Sequence, residues 1–348
     1  MDIISCLERL CSASGAGGIS QACDVAGKML DRYCEDVRLD ALGNVIGVIK
    51  SGREGAPVLM LEAHIDEIGL IVTNIDDDGF VYTAPCGGVD VRALPAAEVI
   101  VHGDRPYYGV FCSTPPHLAD RDKEKDKRGE LPKINDIGID VGMDAKTARN
   151  CIKKGDRVSF CPNFTLLNQN RICSKALDNR AGVAAILYCL ELLKSEKVEP
   201  DCNIAVVFAV QEELGCRGSA VSAYRVNPDY AVAVDVSFAR TPDSEPAKCG
   251  ELGKGAMIGW SPTLDEKMTR RLAIIAEKHQ IPFQHEVMGG ATGTDAESIS
   301  DARTGVRTAL LSVPLRYMHT PCEVVDKRDI ESAARLLACF IKEGVSAL

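Results

Sequence analysis

Two adjacent glutamates, Glu212 and Glu213, follow an apolar run that begins at Asn203 and is typical of a buried strand. Neighbouring carboxylates repel each other unless a cation or a proton lies between them. Buried parallel strands end at the face where α/β enzymes place their chemistry. The pair alone is equally consistent with a solvated strand end, so its meaning depends on what else lies at the same edge.

Other side chains with metal-binding chemistry also follow apolar runs or open a helix. They are His64 with Asp66, Asp178, Asp235 and His319. If these segments share one parallel-rich sheet, two imidazoles and up to five carboxylates meet in a common crevice. So much buried negative charge requires cations. The remaining histidines have no comparable setting and receive no functional role: His102, His117, His279 and His285.

The donor types and their number indicate which metals and which reaction. Mixed histidine and carboxylate ligation suits zinc, cobalt or manganese, whereas all-oxygen sites suit magnesium or calcium. One catalytic zinc needs about three protein ligands, and here there are enough for two ions with one shared carboxylate. A hydroxide bridging two such ions is nucleophilic near neutral pH, while a glutamate can pass the water proton to a leaving amine. The pattern predicts amide hydrolysis.

The elements that must position these residues alternate between strands and helices. Apolar runs at 37–40, 45–49, 58–63, 203–210, 230–234 and 308–313 predict strands, and helical periodicity covers 1–35, 181–193, 265–279 and 329–348. We expect Asp178 or Asn179 to cap the 181–193 helix and Asp235 to end its strand. The fold class is therefore α/β, with a mixed, largely parallel sheet flanked by helices.

A β-rich region interrupts this alternation and predicts an inserted domain at 67–165. It divides the catalytic α/β domain into a first part at 1–66 and a second part at 166–348. Inside the insert, the stretch at 120–130 mixes charges of both signs densely, which is typical of a solvated loop.

Composition excludes several classes of protein. The 348 residues carry a formal net charge of −10, which argues against nucleic acid or an anionic membrane as a partner. No signal peptide or membrane-length apolar run is recognisable. The fifteen cysteines include no C-x-x-C pair, so we expect reduced thiols in a cytoplasmic protein.

Five motifs in order together resemble the TET-type dinuclear metalloaminopeptidases, the glutamyl and deblocking aminopeptidases of which some have been labelled endoglucanases. The motifs lie at 63–69, 175–182, 210–218, 233–235 and 317–321. The resemblance implies a zinc-peptidase-like fold with a small β-barrel-like insert used in dimer contacts. It also implies a tetrahedral dodecamer built of dimers, which admits short peptides and excludes folded proteins. Asn179 departs from the pattern, because many relatives carry aspartate there.

The resemblance also implies a role for each residue. Asp178 would bridge the two metals, with His64 and Asp235 completing one site and Glu213 and His319 the other. Glu212 would be the general base, and Asp66 would hold the second nitrogen of His64. By analogy, the glycine-rich loop at 289–295 lines the substrate pocket, with Gly290, Gly293 and Thr294 as its candidate contacts.

The resulting hypothesis is a cytoplasmic aminopeptidase with two divalent ions per subunit, zinc or cobalt, that removes the first residue of short peptides. A neighbouring alternative is a two-metal amidohydrolase that deacylates acylated amino acids. Paired carboxylates also serve glycoside hydrolases, which do not require the histidines. The last alternative is a non-catalytic oligomeric binding protein that retains the fold.

Overall fold

The computed structural model describes residues 1–115, 117 and 133–345. Nearly all of the predicted elements therefore have a described counterpart. The charged stretch at 120–130, which we expect to be a solvated loop, lies outside the described residues.

The larger part of the chain is built on one mixed sheet of eleven strands within the described residues. They are β1 (Asp36–Leu39), β2 (Val45–Ile49), β3 (Val58–His64), β10 (Thr165–Leu167), β11 (Arg171–Ser174), β12 (Asn203–Ala209), β13 (Tyr230–Phe238), β14 (Ala256–Trp260), β15 (Phe283–Val287), β16 (Arg307–Arg316) and β17 (Glu323–Asp326). The main order is β1-β2-β12-β3-β13-β16-β17-β11-β10, with β14 paired to β15 and β16. The central strands β12, β3, β13 and β16 are parallel, and they are almost entirely buried apolar runs. The predicted α/β fold class is confirmed.

Six strands between Gly69 and Phe160 close into a separate antiparallel barrel. They are β4 (Gly69–Ile75), β5 (Val81–Cys86), β6 (Glu98–His102), β7 (Pro106–Phe111), β8 (Ile139–Asp140) and β9 (Arg157–Phe160). The residues of β7 alternate between exposed and buried, so one face of the strand points into the barrel. The inward-facing residues form a core of their own, which includes Leu70, Val99 and Val158.

Helices cover the faces of the sheet. They are α1 (Ile3–Ser12), α2 (Gln21–Leu30), α3 (Ala145–Cys151, in the barrel region), α4 (Leu177–Ser195), α5 (Arg217–Val226), α6 (Glu266–Lys278), α7 (Asp295–Ser300) and α8 (Lys327–Lys342). Aspartates cap several of them; Asp265, for example, accepts a hydrogen bond from the Met268 backbone N–H. In the part of the chain that the structure describes, none of the helices combines the length and the apolar character that crossing a membrane requires.

A buried ion pair joins the barrel to the sheet domain. Glu67, two residues before β4, lies 2.6 Å from Lys175 Nζ, and both side chains are at most 2% exposed. The Glu67 carboxylate also accepts a hydrogen bond from the Gly15 backbone, and Arg180 donates to the Ile65 carbonyl. Because a buried charge is costly without its partner, this cluster fixes the chain where it leaves β3 for the barrel.

Candidate metal centre

The parallel centre of the sheet brings the predicted residues to one edge. His64 is the last residue of β3 and is paired with Ala209, the last residue of β12. Glu212 and Glu213 follow β12 closely, and His319 follows the end of β16 at Arg316. The expected convergence of these strand ends is therefore observed.

Asp235 reaches the same edge by a different route from the one expected. The prediction that its strand ends there is wrong, because β13 continues to Phe238. Pairing of β13 with β3 stops at Ala233, whereas pairing with β16 continues to the end of the strand. The apolar run of β13 is shorter than the strand itself, so Asp235 extends past the β3 pairing into the crevice.

Asp178 enters the crevice from the beginning of α4. Asp178 and Asn179 both have non-helical backbone dihedrals, and the regular helix starts after them. Asn179 Oδ1 accepts a hydrogen bond from the Gly182 backbone N–H at 3.0 Å, so Asn179 is the residue that caps this helix. The Asp178 carboxylate is therefore left free to face the two histidines.

The two oxygens of Asp178 face two different groups of donors. Oδ1 lies 3.1 Å from His64 Nε2, which is also 3.6 Å from Asp235 Oδ1. Oδ2 lies 3.5 Å from His319 Nε2, which is 3.4 Å from Glu213 Oε2. In each group the donor atoms lie within 4.8 Å of one another. Asp178 is the member that the two groups share.

Glu212 lies beside both groups but belongs to neither. Its Oε1 lies 3.5 Å from Cys216 Sγ, and its Oε2 lies 3.8 Å from His64 Nε2. Asp66 lies behind this pair, with Oδ1 3.5 Å from His64 Nδ1. Asp66 also accepts from the backbone N–H groups of Glu212 and Glu213, at 3.2 and 3.4 Å. One carboxylate therefore positions both the histidine and the two glutamates.

His319 is held from two sides. Its backbone N–H donates to Glu323 Oε1 at 3.0 Å, and the Asp178 backbone N–H donates to Glu323 Oε2 at the same distance. On the barrel side its ring lies against Gly88, and the Asp90 N–H donates to the His319 carbonyl. These contacts hold a residue whose φ of 63° is uncommon outside glycine. The barrel thus takes part in shaping the centre.

The electrostatics of the centre reflect an excess of negative charge. Burial and the neighbouring Asp178 carboxylate raise the pKa of Glu213 to about 10, and burial raises the pKa of Glu212 to about 8. Burial opposes a charge on His64, yet the carboxylates around it, Glu212 first, raise its pKa well above the usual value. Burial would likewise raise the pKa of Asp178, but the two histidines hold it below its ordinary range. Both glutamates therefore hold a proton more readily than an exposed carboxyl group does.

The donor set fits divalent metal ions. Each group combines one imidazole with two carboxylates, and one carboxylate is common to both, as in two-metal hydrolytic sites. His64 Nδ1 is buried and makes no hydrogen bond of good geometry. Asp66 faces that nitrogen, which is the arrangement that orients a metal-binding imidazole.

A cavity of about 540 Å³ opens next to the centre. Gly293 and Thr294 line it, together with Ala291 and Thr292. Gly290 is absent from the lining residues, and its carbonyl instead accepts a hydrogen bond from Ser261. The structure therefore brings two of the three predicted loop residues to the cavity.

Comparison with known proteins agrees with this geometry. The sequence profile of the M42 glutamyl aminopeptidases matches residues 43–336. The lysyl aminopeptidase of Pyrococcus furiosus is 36% identical over 327 residues, which cover 92% of this chain and 90% of the relative.

The chain belongs to the M42 glutamyl aminopeptidase family.

Solved structures of aminopeptidases and peptidases extend the likeness. An aminopeptidase from the archaeon Desulfurococcus kamchatkensis superposes with a TM-score of 0.89 at 35% identity, covering 98% of this chain and 95% of its own. The TET1 peptidase of Pyrococcus horikoshii, described as assembling into a tetrahedron or a large octahedral shell, gives a TM-score of 0.84 at 29% identity. That match covers 98% of this chain and 100% of the TET1 chain. The predicted resemblance to the TET-type aminopeptidases is confirmed, and so is the prediction of a peptide hydrolase. Metal dependence is typical of M42 members.

Several residues of this M42 chain lie in or near the centre although no sequence pattern predicts a role for them. Glu62 and Asp295 are buried carboxyl groups in contact, and burial raises the pKa of each. Asp295 also forms a third donor group with Glu212 and Cys216. His285, which received no role from the sequence, lines the cavity beside Glu286. None of these residues follows the end of a central strand, which is why the search by strand ends passed over them.

Proposed function

We propose that this protein is a two-metal aminopeptidase that removes the first residue of short peptides. The observation that carries the proposal is the position of Asp178, whose two oxygens face two separate groups of one histidine and one further carboxylate. His64 and Asp235 would complete one site, and Glu213 and His319 the other. Two bound ions, zinc or cobalt by the donor types, would polarise a peptide carbonyl and lower the pKa of a water molecule.

Glu212 is the residue best placed to move the proton in this reaction. It lies next to His64 but outside both donor groups, so its carboxylate is not needed to hold a metal. As general base it takes a proton from the attacking water and donates it to the leaving amine. Asp66 keeps Glu212 in place through the backbone and orients the His64 ring. Gly293 and Thr294 would contact the peptide, because both line the cavity.

The protein's assembly and location follow from the same proposal. We infer a tetrahedral dodecamer built of dimers, with the barrel as the dimer contact, since the related TET1 peptidase is described as forming a tetrahedron. Tyr108 and Val110 support the barrel contact, because both lie on β7 and are 75% and 44% exposed. All fifteen cysteines are free thiols, which favours a reducing cytoplasm.

A substrate comparison tests the proposed reaction. The metal-loaded protein should hydrolyse a short peptide with a free N-terminus, lose activity with a chelator, and recover it with zinc or cobalt. An N-acetylated copy of the same peptide should not be hydrolysed. Preference for the acetylated copy would indicate a deacylase instead. Chelator-resistant cleavage of a glycan would indicate a glycoside hydrolase, and bound metal without any peptide hydrolysis would indicate a binding protein.

A further inference from the structure

The cavity contains a carboxylate that the proposed reaction does not use. Glu286 on β15 lines the cavity, and the hydroxyl groups of Ser237 and Ser312 donate hydrogen bonds to its two oxygens. The Ser312 bond is 2.7 Å long. Two donors on separate oxygens fix the orientation of the carboxylate. Glu286 is therefore a built feature of the cavity wall rather than a mobile surface side chain.

Glu286 lies within the length of one side chain of the proposed metal ligand Asp235. Ser237 is two residues beyond Asp235 on the same face of β13, and Ser312 on β16 is the register partner of Asp235. Two residues along a strand span about 6.6 Å. Since both hydroxyls that hold Glu286 flank Asp235, its carboxylate lies within the length of a long side chain of that proposed metal ligand.

The charges of the cavity leave Glu286 without a balancing cation. Two divalent ions would offset the carboxylates of the metal ligands, but Glu286 belongs to neither donor group. Among the described residues that line the cavity, Lys248 is the only lysine or arginine. Its side chain is 74% exposed and already lies 2.7 Å from Glu245. A cation on the substrate is the partner that Glu286 lacks.

Apolar side chains line the same cavity as Glu286. They are Met257, Val287, Met288 and Leu310. Such a surface packs against methylene groups, whereas a carboxylate beside it pairs with an ammonium or guanidinium group. Lysine and arginine side chains have this combination of an apolar stem and a charged end.

We propose that Glu286 is the specificity-determining residue of the cavity and that the enzyme prefers peptides whose first residue is lysine or arginine. This inference rests on the proposed aminopeptidase function. It selects one class of substrate from those that the two-metal reaction could accept. The opposite preference, for acidic residues, is disfavoured because Glu286 in the cavity wall would repel them.

The test compares aminoacyl amides of lysine and norleucine, which share the stem and differ in the ammonium group. For the metal-loaded wild-type protein we expect kcat/KM for the lysyl amide to exceed that for the norleucyl amide by about 10- to 100-fold, the range for a hydrogen bond to a charged group. Glu286→Gln should bring this ratio close to one. Glu251→Gln is the matched control, because Glu251 is exposed and is not among the residues lining the cavity, and it should keep the wild-type ratio.

The outcomes separate this inference from the function on which it rests. Hydrolysis of the norleucyl amide equal to or better than that of the lysyl amide by wild-type protein would overturn the role of Glu286 and leave the aminopeptidase function intact. An unchanged ratio in Glu286→Gln with normal metal content would overturn it as well. If Glu286→Gln does not fold, the wild-type ratio alone decides. Failure of the wild-type protein to hydrolyse any aminoacyl amide would overturn both proposals.

Discussion

Asp178 is the residue on which both proposed metal sites depend, and it depends in turn on Glu323. The Asp178 and His319 backbone N–H groups share the two oxygens of Glu323, which is 1% exposed at the start of β17. Glu323 contributes no donor to either group. Its role is to hold one ligand of the second site and the shared ligand at a fixed separation.

Glu323→Gln should therefore weaken metal binding rather than the chemistry itself. The amide offers one oxygen in place of two, so one of the two N–H groups loses its partner. We expect about a 10- to 100-fold loss of metal affinity, with activity restored by excess metal. Metal titration followed by activity at saturating metal measures this, and a thermal unfolding scan controls for general destabilisation. Unchanged metal affinity would show that Glu323 does not position the ligands.

Metal binding should also depend on pH in a definite direction. Because the pKa of Glu213 is raised to about 10 and that of Glu212 to about 8, both hold protons at neutral pH in the metal-free protein. A metal must displace the proton of its ligand Glu213, so metal affinity should rise with pH up to about pH 10, with release of protons. Calorimetric titration of zinc in buffers of different ionisation enthalpy measures that release. Binding that releases no protons would contradict the shifted pKa values.

Residues with a local signal in the sequence could be predicted, and residues without one could not. His64, Glu212, Glu213 and His319 follow apolar runs, so parallel strand ends were enough to group them. Glu286 lies within a short strand, beyond the reach of such a search, and its two serine partners come from other strands. Its position depends on tertiary packing, which a single sequence does not reveal.

At the scale of elements, the barrel contributes a loop to the metal centre. Gly87 and Gly88 follow β5 and approach Glu213 and His319 closely. A Cβ atom at Gly88 would lie 2.7 Å from His319 Nδ1. No side chain fits there unless the histidine moves, so the insert helps to build the centre in addition to any role in assembly.

Gly88→Ala should impair the second site specifically. Displacement of the His319 ring should lower kcat/KM by about 10- to 100-fold, because small misplacements of catalytic groups are costly. Gly27→Ala in α2 is the control, since its nearest neighbour would be an ordinary 3.8 Å contact with Val45. That change should keep full activity and raise the free energy of unfolding by about 0.5–1 kcal/mol. Wild-type activity of Gly88→Ala would contradict the proposed contact.

The central strands were predictable from the sequence, but the residues at which they end were harder to predict. Runs of buried apolar residues located the central strands, because both faces of a parallel sheet are covered. Asp235 was misplaced at a strand end because a charged residue usually stops such a run. Here the neighbouring β16 continues the ladder to Phe238, and the crevice accommodates the charge.

At the scale of the whole molecule, assembly should restrict which substrates enter. We expect light scattering to give a mass of about twelve chains. Replacing both Tyr108 and Val110 by aspartate should reduce it, since charges at an apolar contact are costly to bury. The disrupted form should still cleave aminoacyl amides, because the metal centre lies within one chain. An unchanged mass would exclude this face of the barrel from the contact.

The central claim is that Glu212 moves a proton while its neighbours hold two metals. Glu212→Gln and Asp178→Ala separate these roles, with metal content measured by elemental analysis and turnover on one aminoacyl amide. We predict that Glu212→Gln retains both ions and loses turnover by about 10²- to 10⁴-fold, whereas Asp178→Ala loses metal as well. Wild-type turnover in Glu212→Gln, or full metal content in Asp178→Ala, would contradict the account.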